Sequence, residues 1–502
     1  MRRLVVVSNR VVEPQCAASG GLAVCILDGL RERGGLWFGW KGDIVAQDEE
    51  LTVSVETHDR VTLATTQLTE REFQDYYLGF CNNALWPVLH SRLDLARFTP
   101  ENADSYCAVN RRFAEALAPM LRPDDLVWAH DYHLIPLGAE LRAKNVQNRI
   151  GFFLHISFPS PDVLLAMPEH EWLMRALTSY DVVGFQTRAD QANFCRFMCD
   201  VMRGEMLSAD TLSVEGSIVT TAVIPAGIDV DSFSAMAQTP QAVARIKWLH
   251  RRGEPGTHII GVDRLDYTKG LPDRLRSFQR LLELYPQYCK EATLMQIAPP
   301  TREEVKAYAD IRHELEALSG EINGQFGDFD WTPVRYIHRN VSRETLAGLY
   351  RGSQIGLVTP LRDGMNLVAK EYVAAQDPQN PGVLVLSRFA GAAEDLLEAL
   401  IVNPYDPEDV AAALQRAMSM EREERVERHA ALLSRVRARD AGNWIGRFLK
   451  ALEAPAPTRS ASCAVRGKRF AARTGPAKIL VPAGKFFPPY AVTDRSIAAA
   501  RP

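Results

Sequence analysis

At 502 residues the chain is longer than a single compact core usually is, and we expect two domains. Apolar residues make up 46% of the sequence and charged residues 24%, ordinary values that exclude general disorder. The net charge of −4 includes a basic C-terminal segment, residues 455–502, with nine Lys or Arg residues and a single acid, Asp494.

The N-terminal run RLVVVSNR predicts a strand rather than a signal peptide, because Ser8, Asn9 and Arg10 interrupt its apolar residues. Further along, no window approaches the roughly 20 uninterrupted apolar residues that a membrane span needs. The closest pair of cysteines, Cys195 and Cys199, lacks the CxxC spacing of a redox or zinc motif. We therefore expect reduced thiols, a cytoplasmic location and no membrane partner.

Short β-rich runs recur along the chain, each followed by a polar or Gly/Pro loop and a helical pattern. They read, in order, RLVVVSNR, DLVWAHD, RIGFFLHI, DVVGFQT and IVTTAVIP, then HIIGVDRLD, ATLMQIAPP, VRYIH, QIGLVTP, GVLVLSR and ALIVNP. This alternation predicts an α/β fold with two doubly wound, Rossmann-like domains facing a central cleft.

We place the domain boundary near residue 240, in a helical stretch that ends in a Gly-Pro-rich loop. Residues 1–240 are predicted to form the N-terminal domain and residues 241–454 the C-terminal domain. Helices over residues 407–453 close the second domain, with Asp406 before Pro407 as the first N-cap. Residues 455–502 show little periodicity and no interleaving of aromatic and basic residues, so we expect a disordered tail and no nucleic-acid partner.

Ligands of open parallel sheets bind beyond the carboxyl ends of the strands. In the first half of the chain, Arg10 ends one predicted strand, Asp131 follows another and His155 ends a third. The loop Ser19-Gly20-Gly21 precedes a helical pattern and would let the backbone approach a phosphate or a sugar. Each feature alone is more often structural, but together they favour a ligand site.

Cofactor motifs are missing from these strand ends. His130 and His133 are the nearest histidine pair, and they straddle a strand-to-loop turn without HExxH spacing. The sequence also lacks the GxGxxG, GxxxxGK[ST] and GxSxG motifs of dinucleotide-binding proteins, P-loop enzymes and acyl-transfer hydrolases. We expect neither a metal nor a cofactor.

The second half supplies cations and carboxylates at the same edge of its sheet. VDRLDYTKG offers Arg264 and Lys269, and TPLRDGMNLVAKEY starts a predicted helix between Asp363 and Glu371. Asp363 could simply cap that helix and Glu371 could lie on the surface. The combination nevertheless favours a nucleoside diphosphate, with cations on the phosphates and a carboxylate on the ribose.

These stretches resemble the trehalose-6-phosphate synthases, retaining glycosyltransferases with two Rossmann-like domains of the GT-B type. The resemblance runs from residue 3 to about residue 450. It rests on SGGLAV, GGLWFGW, YYLGFCNNALWP, HDYHL, GFFLHISFPSP, VDRLDYTKG, RDGMNLVAKEYVAAQ and GVLVLSRFAGAA, which follow one another in the family's order. Ser157 and the basic tail depart from the family pattern, and neither is a predicted ligand contact.

The resemblance implies that UDP-glucose binds the C-terminal domain. Arg264 and Lys269 would contact the diphosphate and Glu371 the ribose. Gly21 would close over the donor, and His155 would contact the transferred glucose near its 6-hydroxyl. The loop that would hold the glucose and phosphate groups consists of Asp363, Gly364, Met365, Asn366, Leu367 and Val368.

For the acceptor, the resemblance implies glucose 6-phosphate in the N-terminal domain. Arg10, Tyr77, Trp86 and Arg302 would surround its phosphate, and Asp131 would bind its sugar hydroxyls. Transfer would retain the anomeric configuration without a covalent enzyme nucleophile, and the product would leave still phosphorylated. The residues expected to act directly in this step are His155, Asp131, Arg264, Lys269 and Asp363.

Two alternatives stay open at this point. A synthase that uses glycerol 3-phosphate as acceptor would keep the donor residues and change the acceptor wall, whereas Tyr77, Trp86 and Arg302 are all present. A catalytically silent sugar-phosphate sensor would be expected to lose a donor-site charge, whereas Arg264 and Glu371 are present. We also expect a homo-oligomer.

Overall fold

The structure is a computed structural model that describes residues 2–11, 26–27, 29–31, 33–49, 51–250, 256–302 and 305–455. Residues 1–457 form one compact unit that contains both sheets. The predicted tail lies outside the described residues except for its first residue, Pro455. Within the described residues, no helix is long and apolar enough to cross a membrane.

Within the part of the chain that the structure describes, sixteen strands form two sheets. In chain order they are β1 Leu4–Arg10, β2 Gly35–Val45, β3 Ser54–His58, β4 Val61–Thr69, β5 Leu126–His130, β6 Arg149–Phe153, β7 Val182–Phe185, β8 Glu205–Met206, β9 Thr211–Val214, β10 Ser217–Val223, β11 Thr257–Val262, β12 Ala292–Ile297, β13 Val334–Ile337, β14 Ile355–Val358, β15 Val383–Ser387 and β16 Leu400–Val402.

Helices connect and cover these strands. The α-helices are Glu70–Glu72, Trp86–Leu89, Pro100–Leu117, Leu137–Ala143, Pro161–Leu164, His170–Ala176, Arg188–Asp200, Val230–Met236, Pro240–Leu249, Leu271–Leu284, Lys306–Phe326, Arg343–Gly352, Leu367–Ala375, Pro407–Met418, Arg422–Ala438 and Ala441–Glu453. Phe73–Leu85 is π-helical, and short 3₁₀ turns occur at Ala118–Met120, Tyr132–Leu134, Leu177–Ser179, Tyr267–Lys269, Pro286–Tyr288 and Gly391–Glu394.

The first sheet has ten strands in the order β3-β4-β2-β1-β5-β6-β7-β10-β9-β8. Its seven central strands are parallel. The strands at its two edges, β3 on one side and β9 and β8 on the other, pair antiparallel. Strands β5 and β7 are buried along their whole length. Continuous burial is expected of parallel strands with helices on both faces.

The second sheet has six strands in the order β13-β12-β11-β14-β15-β16, and every pairing is parallel. Its strands β12, β14 and β15 are buried along their whole length and are mostly apolar. The two sheets confirm the predicted pair of doubly wound α/β architectures. The boundary near residue 240 stays a prediction.

Every strand predicted from the sequence is present, from β1 to β16. The alternation of strand, loop and helix does not predict strands that follow one another without an intervening helix. The missed strands are β2, β3, β4, β8 and β9. The predicted cap at Asp406 is confirmed, since its side chain accepts from the backbone N–H groups of Glu408 and Asp409.

The chain passes between the two sheets twice, and the two crossings lie side by side. The first follows β10, and the second lies between helices Arg422–Ala438 and Ala441–Glu453. The N–H of Ala441 donates to the carbonyl of Ile228 at 3.2 Å. The last helix therefore packs on the first sheet, where Trp128 stacks with Phe448 at 4.4 Å between ring centroids.

Close backbone contacts at two glycines join loops beyond the carboxyl ends of the strands, one contact between the two sheets and one within the second sheet. A Cβ built on Gly364, after β14, would lie 2.2 Å from the carbonyl oxygen of His155, after β6. A Cβ on Gly391 would lie 1.9 Å from the carbonyl oxygen of Gly364. Only a residue without a side chain fits at these distances, so the carboxyl ends of both sheets meet here.

This contact predicts the effect of Gly364→Ala. The added methyl group must push the two loops apart, and we expect a loss of stability of about 1–3 kcal/mol. Gly320→Ala is the matched control, because no heavy atom of the described residues lies within 4 Å of its added Cβ. In its helix we expect a gain of about 0.5–1 kcal/mol. Thermal unfolding measures both, and equal melting temperatures would contradict the proposed loop contact.

Candidate active site

The loop after β14 holds a buried ion pair. Lys269 Nζ lies 2.6 Å from Asp363 Oδ2, and Asn366 Nδ2 donates to the same oxygen at 3.0 Å. Asn366 has a φ of 75° and caps helix Leu367–Ala375 by accepting from the N–H of Ala369. The alternative reading of Asp363 as the helix cap is therefore wrong, and its carboxylate is instead paired with a cation.

The rest of this loop is held by backbone hydrogen bonds. The carbonyl of Met365 accepts from the N–H of Ala392 at 2.7 Å, and the carbonyl of Asp363 accepts from the N–H of Gly391. Leu367 and Val368 are half-buried at the start of the helix. The predicted donor loop is thus one ordered unit.

Glu371 lies one turn into the same helix and is largely buried. Its Oε1 is 3.9 Å from Nη2 of Arg343, and its side chain is 13% exposed. Burial raises the pKa of Glu371 to about 7, although the Arg343 cation opposes that shift. The alternative reading of Glu371 as a surface residue is wrong.

Asp131 and His155 follow the neighbouring strands β5 and β6. Asp131 has a φ of 73°, uncommon for a residue other than glycine, and its Oδ1 accepts from the N–H of His155 at 3.2 Å. Burial raises the pKa of Asp131 to about 6 and lowers the pKa of His155 to about 3. A carboxyl group and a neutral imidazole are thus adjacent, close to Gly364.

Arg302 is the centre of a second polar cluster. Its guanidinium donates to the hydroxyl oxygens of Tyr308 at 2.8 Å and Tyr132 at 3.1 Å. Its Nη1 is 3.9 Å from Asp266 Oδ2, and its Cζ lies 4.2 Å from the centroid of Trp86. Burial raises the pKa of Asp266, but the cations of Arg302, Arg264 and Lys269 outweigh it and hold that pKa below its ordinary value.

Arg264 approaches the same tryptophan from an exposed position, with its Cζ 5.9 Å from the centroid of Trp86. Arg10 lies on a different aromatic ring, 5.5 Å from the centroid of Trp40. Tyr77 packs against that ring too, at 5.5 Å between centroids. Of the predicted site residues, Gly21 lies outside the described residues.

The π-helical segment explains why the side chains of Tyr77 and Trp86 lie on the same side of the helix. Nine residues separate them, which is about two and a half turns of an α-helix and would place them on opposite faces. With i→i+5 hydrogen bonding a turn takes about 4.4 residues, so nine residues make about two turns. Both side chains then contact the turn after β5, Tyr77 at His133 and Trp86 at Tyr132.

Several functional candidates were not foreseen. Tyr132, Tyr308 and Asp266 orient Arg302, and Arg343 accompanies Glu371. Tyr132 lies inside HDYHL and Asp266 inside VDRLDYTKG, so position next to a strand end was an available signal. Tyr308 and Arg343 lie on helices without such a signal.

The charged groups surround a cleft between two sheets and suit an anionic, hydroxyl-rich ligand. Among the residues that the structure describes, no three His, Cys, Asp or Glu side chains are grouped so that they could hold a metal ion. Guanidinium and ammonium groups can neutralise phosphate without one. Fold and site together define a two-lobed α/β protein whose charged groups suit phosphorylated ligands.

Comparisons with known proteins narrow this class. Residues 7–454 match glycosyltransferase family 20. A trehalose-6-phosphate synthase of Klebsiella pneumoniae subsp. pneumoniae is 48% identical over 470 residues, 93% of this chain and 98% of that protein. A Burkholderia xenovorans α,α-trehalose-phosphate synthase (UDP-forming), solved in complex with glucose-6-phosphate, has a TM-score of 0.86 at 46% identity and covers 90% of this chain and 100% of its own.

A further solved structure, from E. coli and bound with UDP-2-fluoro glucose, has a TM-score of 0.87 at 46% identity. It covers 91% of this chain and 100% of its own. The chain belongs to glycosyltransferase family 20 and is a glycosyltransferase.

The raised pKa of Glu371 predicts a stability that depends on pH. Since this pKa is raised in the folded state, the unfolded chain binds fewer protons between about pH 4.5 and 7, and stability falls as pH rises through that window. Glu371→Gln removes this penalty. We expect the variant to be more stable than the parent at pH 8, on the order of 2 kcal/mol, and nearly equal at pH 5. Denaturant unfolding at both pH values measures the difference, and a pH-independent difference would contradict the assigned burial.

Proposed function

We propose that this chain transfers glucose from UDP-glucose to glucose 6-phosphate, giving α,α-trehalose 6-phosphate and UDP with retention of configuration. The observation that carries the proposal is the meeting of two charged clusters at the contact of Gly364 with His155. Lys269 and Asp363 lie on one side of it, and Asp131 lies on the other. Relatives solved with glucose-6-phosphate and with UDP-2-fluoro glucose support both substrates.

The donor is assigned to the second sheet. Lys269 and Arg264 neutralise the diphosphate, and Glu371 accepts from the ribose hydroxyls. The loop from Asp363 to Val368 surrounds the glucose and phosphate groups. The ammonium of Lys269 pairs with Asp363 at 2.6 Å, so a diphosphate would meet a cation whose position is fixed by that carboxylate.

The acceptor is assigned to the cleft wall that the first sheet forms together with Arg302, which follows β12 of the second sheet. Arg302, held by two tyrosine hydroxyls over the face of Trp86, offers a fixed guanidinium to the dianionic phosphate. Arg10 and Tyr77 extend this wall around their shared Trp40. The carboxylate of Asp131 accepts from the sugar hydroxyls. Gly21 is assigned to the cover over the donor by family likeness alone.

The proposed reaction needs no enzyme nucleophile. The bond between the donor anomeric carbon and the UDP oxygen breaks, and a bond from that carbon to O1 of glucose 6-phosphate forms on the same face. The acceptor proton passes to an oxygen of the departing phosphate. Arg264 and Lys269 stabilise the negative charge that develops on UDP, while His155 positions the transferred glucose. A cytoplasmic location and a homo-oligomer stay predictions.

A direct test is UDP release from UDP-glucose by the purified protein, with glucose 6-phosphate, glycerol 3-phosphate or no acceptor. We expect release only with glucose 6-phosphate, and an α,α-1,1-linked disaccharide phosphate in the NMR spectrum of the product. Release with glycerol 3-phosphate would instead identify a synthase that uses glycerol 3-phosphate as its acceptor. Binding of the nucleotide sugar without release would identify a sensor.

Arg302→Ala tests the acceptor wall. The variant loses the guanidinium that is assigned to the phosphate, and we expect the KM for glucose 6-phosphate to rise about 100-fold, a loss of roughly 3 kcal/mol for a charge-assisted contact. The KM for UDP-glucose should change little. Arg196→Ala is the matched control, because Arg196 is exposed on helix Arg188–Asp200. An unchanged KM for glucose 6-phosphate would remove Arg302 from the site.

A further inference from the structure

His130 lies beneath His155 and touches it through one ring nitrogen. The Nδ1 atom of His130 is 2.9 Å from Nε2 of His155, and the two ring planes are inclined by only 20° with their centroids 5.2 Å apart, so the rings lie edge to edge as an in-plane hydrogen bond requires. His130 is 2% exposed, whereas His155 is half-buried. A hydrogen bond between two imidazoles requires one proton between these two nitrogens, so one ring donates and the other accepts.

The surroundings of His130 decide which ring donates. Its other nitrogen, Nε2, is buried and has no hydrogen-bond partner among the described residues. The rings of Trp128, at 4.4 Å, and Trp444, at 6.1 Å, flank it. An indole offers only an N–H donor, so a proton on Nε2 of His130 would face no acceptor there.

Buried N–H groups without an acceptor are rarer in proteins than buried acceptors without a donor. The proton of His130 therefore belongs on Nδ1, which donates to Nε2 of His155. His155 then carries its own proton on Nδ1, the ring nitrogen that His130 does not occupy. We propose that His130 is a positioning residue that fixes His155 as a hydrogen-bond donor toward the hydroxyl groups of the transferred sugar.

This assignment rests on the proposed function, because it gives His155 a sugar to contact. It goes further by specifying the direction of the hydrogen bond: His155 donates from Nδ1, and a sugar hydroxyl oxygen accepts. The carbonyl of His155 is also fixed, since it accepts from Gln186 Nε2 at 3.4 Å and contacts the Gly364 loop. Backbone and ring are thus both constrained from the first sheet.

The first readout is spectroscopic and needs no substrate. In protein labelled with ¹⁵N at histidine, long-range ¹H–¹⁵N correlations distinguish a protonated ring nitrogen from a bare one, and His155→Asn assigns the signal. We expect a protonated Nδ1 and a bare Nε2 in His155. A proton on Nε2 of His155 would overturn the proposal, whatever reaction the enzyme catalyses.

The second readout compares two variants of His130. The side-chain amide of Asn places a donor close to the position of imidazole Nδ1, whereas Leu of similar bulk has none. We expect His130→Leu to lower kcat with UDP-glucose about tenfold, the loss of one hydrogen bond, while the KM for glucose 6-phosphate stays within about twofold. His130→Asn should recover most of the activity.

Thermal unfolding of both variants shows whether each is folded, and only folded variants enter the comparison. Equal kinetics for Leu and Asn would overturn the positioning role. The spectroscopic test on the parent protein decides the proton position even if both variants fail to fold. If the parent shows the expected proton but releases no UDP with any acceptor, the proposed function fails and the tautomer assignment stands.

Discussion

The close approach of two backbones is the constraint on which the cleft depends. Each parallel sheet presents the carboxyl ends of its strands, and the chain places both ends on the same gap. Gly364 has no side chain to hold these ends apart, so the loop after β14 rests directly on the carbonyl of His155, and Gly391 lets the loop after β15 pack against Gly364. Residues separated by about two hundred positions in sequence therefore become neighbours.

The charges around this contact are held in place by neighbouring side chains. Lys269 is paired with Asp363, Arg302 is held by Tyr308 and Tyr132, and Glu371 lies near Arg343. Preorganised dipoles and charges stabilise developing charge without reorganisation during the reaction, which is the largest catalytic contribution in many enzymes. The arrangement also avoids leaving an isolated ion in a partly desolvated cleft, which would be costly.

The sequence predicted the main sheets and most of the candidate residues, because parallel strands leave apolar runs and place polar residues just after them. It did not predict which residue caps the helix at Leu367. Asp and Asn are both good caps, and only the three-dimensional path shows that Asp363 is needed by Lys269, from a loop ninety-four residues earlier in the chain.

The sequence also does not predict that the side chains of Tyr77 and Trp86 lie on the same side of the helix. A pattern based on 3.6 residues per turn separates them, and no residue in the stretch signals i→i+5 hydrogen bonding. The same limit applies to Trp444, which flanks His130 from a helix near the end of the chain. Such contacts form because the last helix packs on the first sheet. The local hydrophobic periodicity of the sequence does not show where that helix packs.

The two adjacent crossings are tied to each other through one lysine. Lys370, the residue before Glu371, donates to the carbonyl of Ala226 at 2.6 Å, on the first crossing. It also lies 3.8 Å from Asp395, which pairs with Arg439 on the second crossing. Burial lowers the pKa of Lys370 to about 7, so this ammonium is retained at a cost in stability. Both crossings are therefore held through a single buried side chain on the helix that carries Glu371.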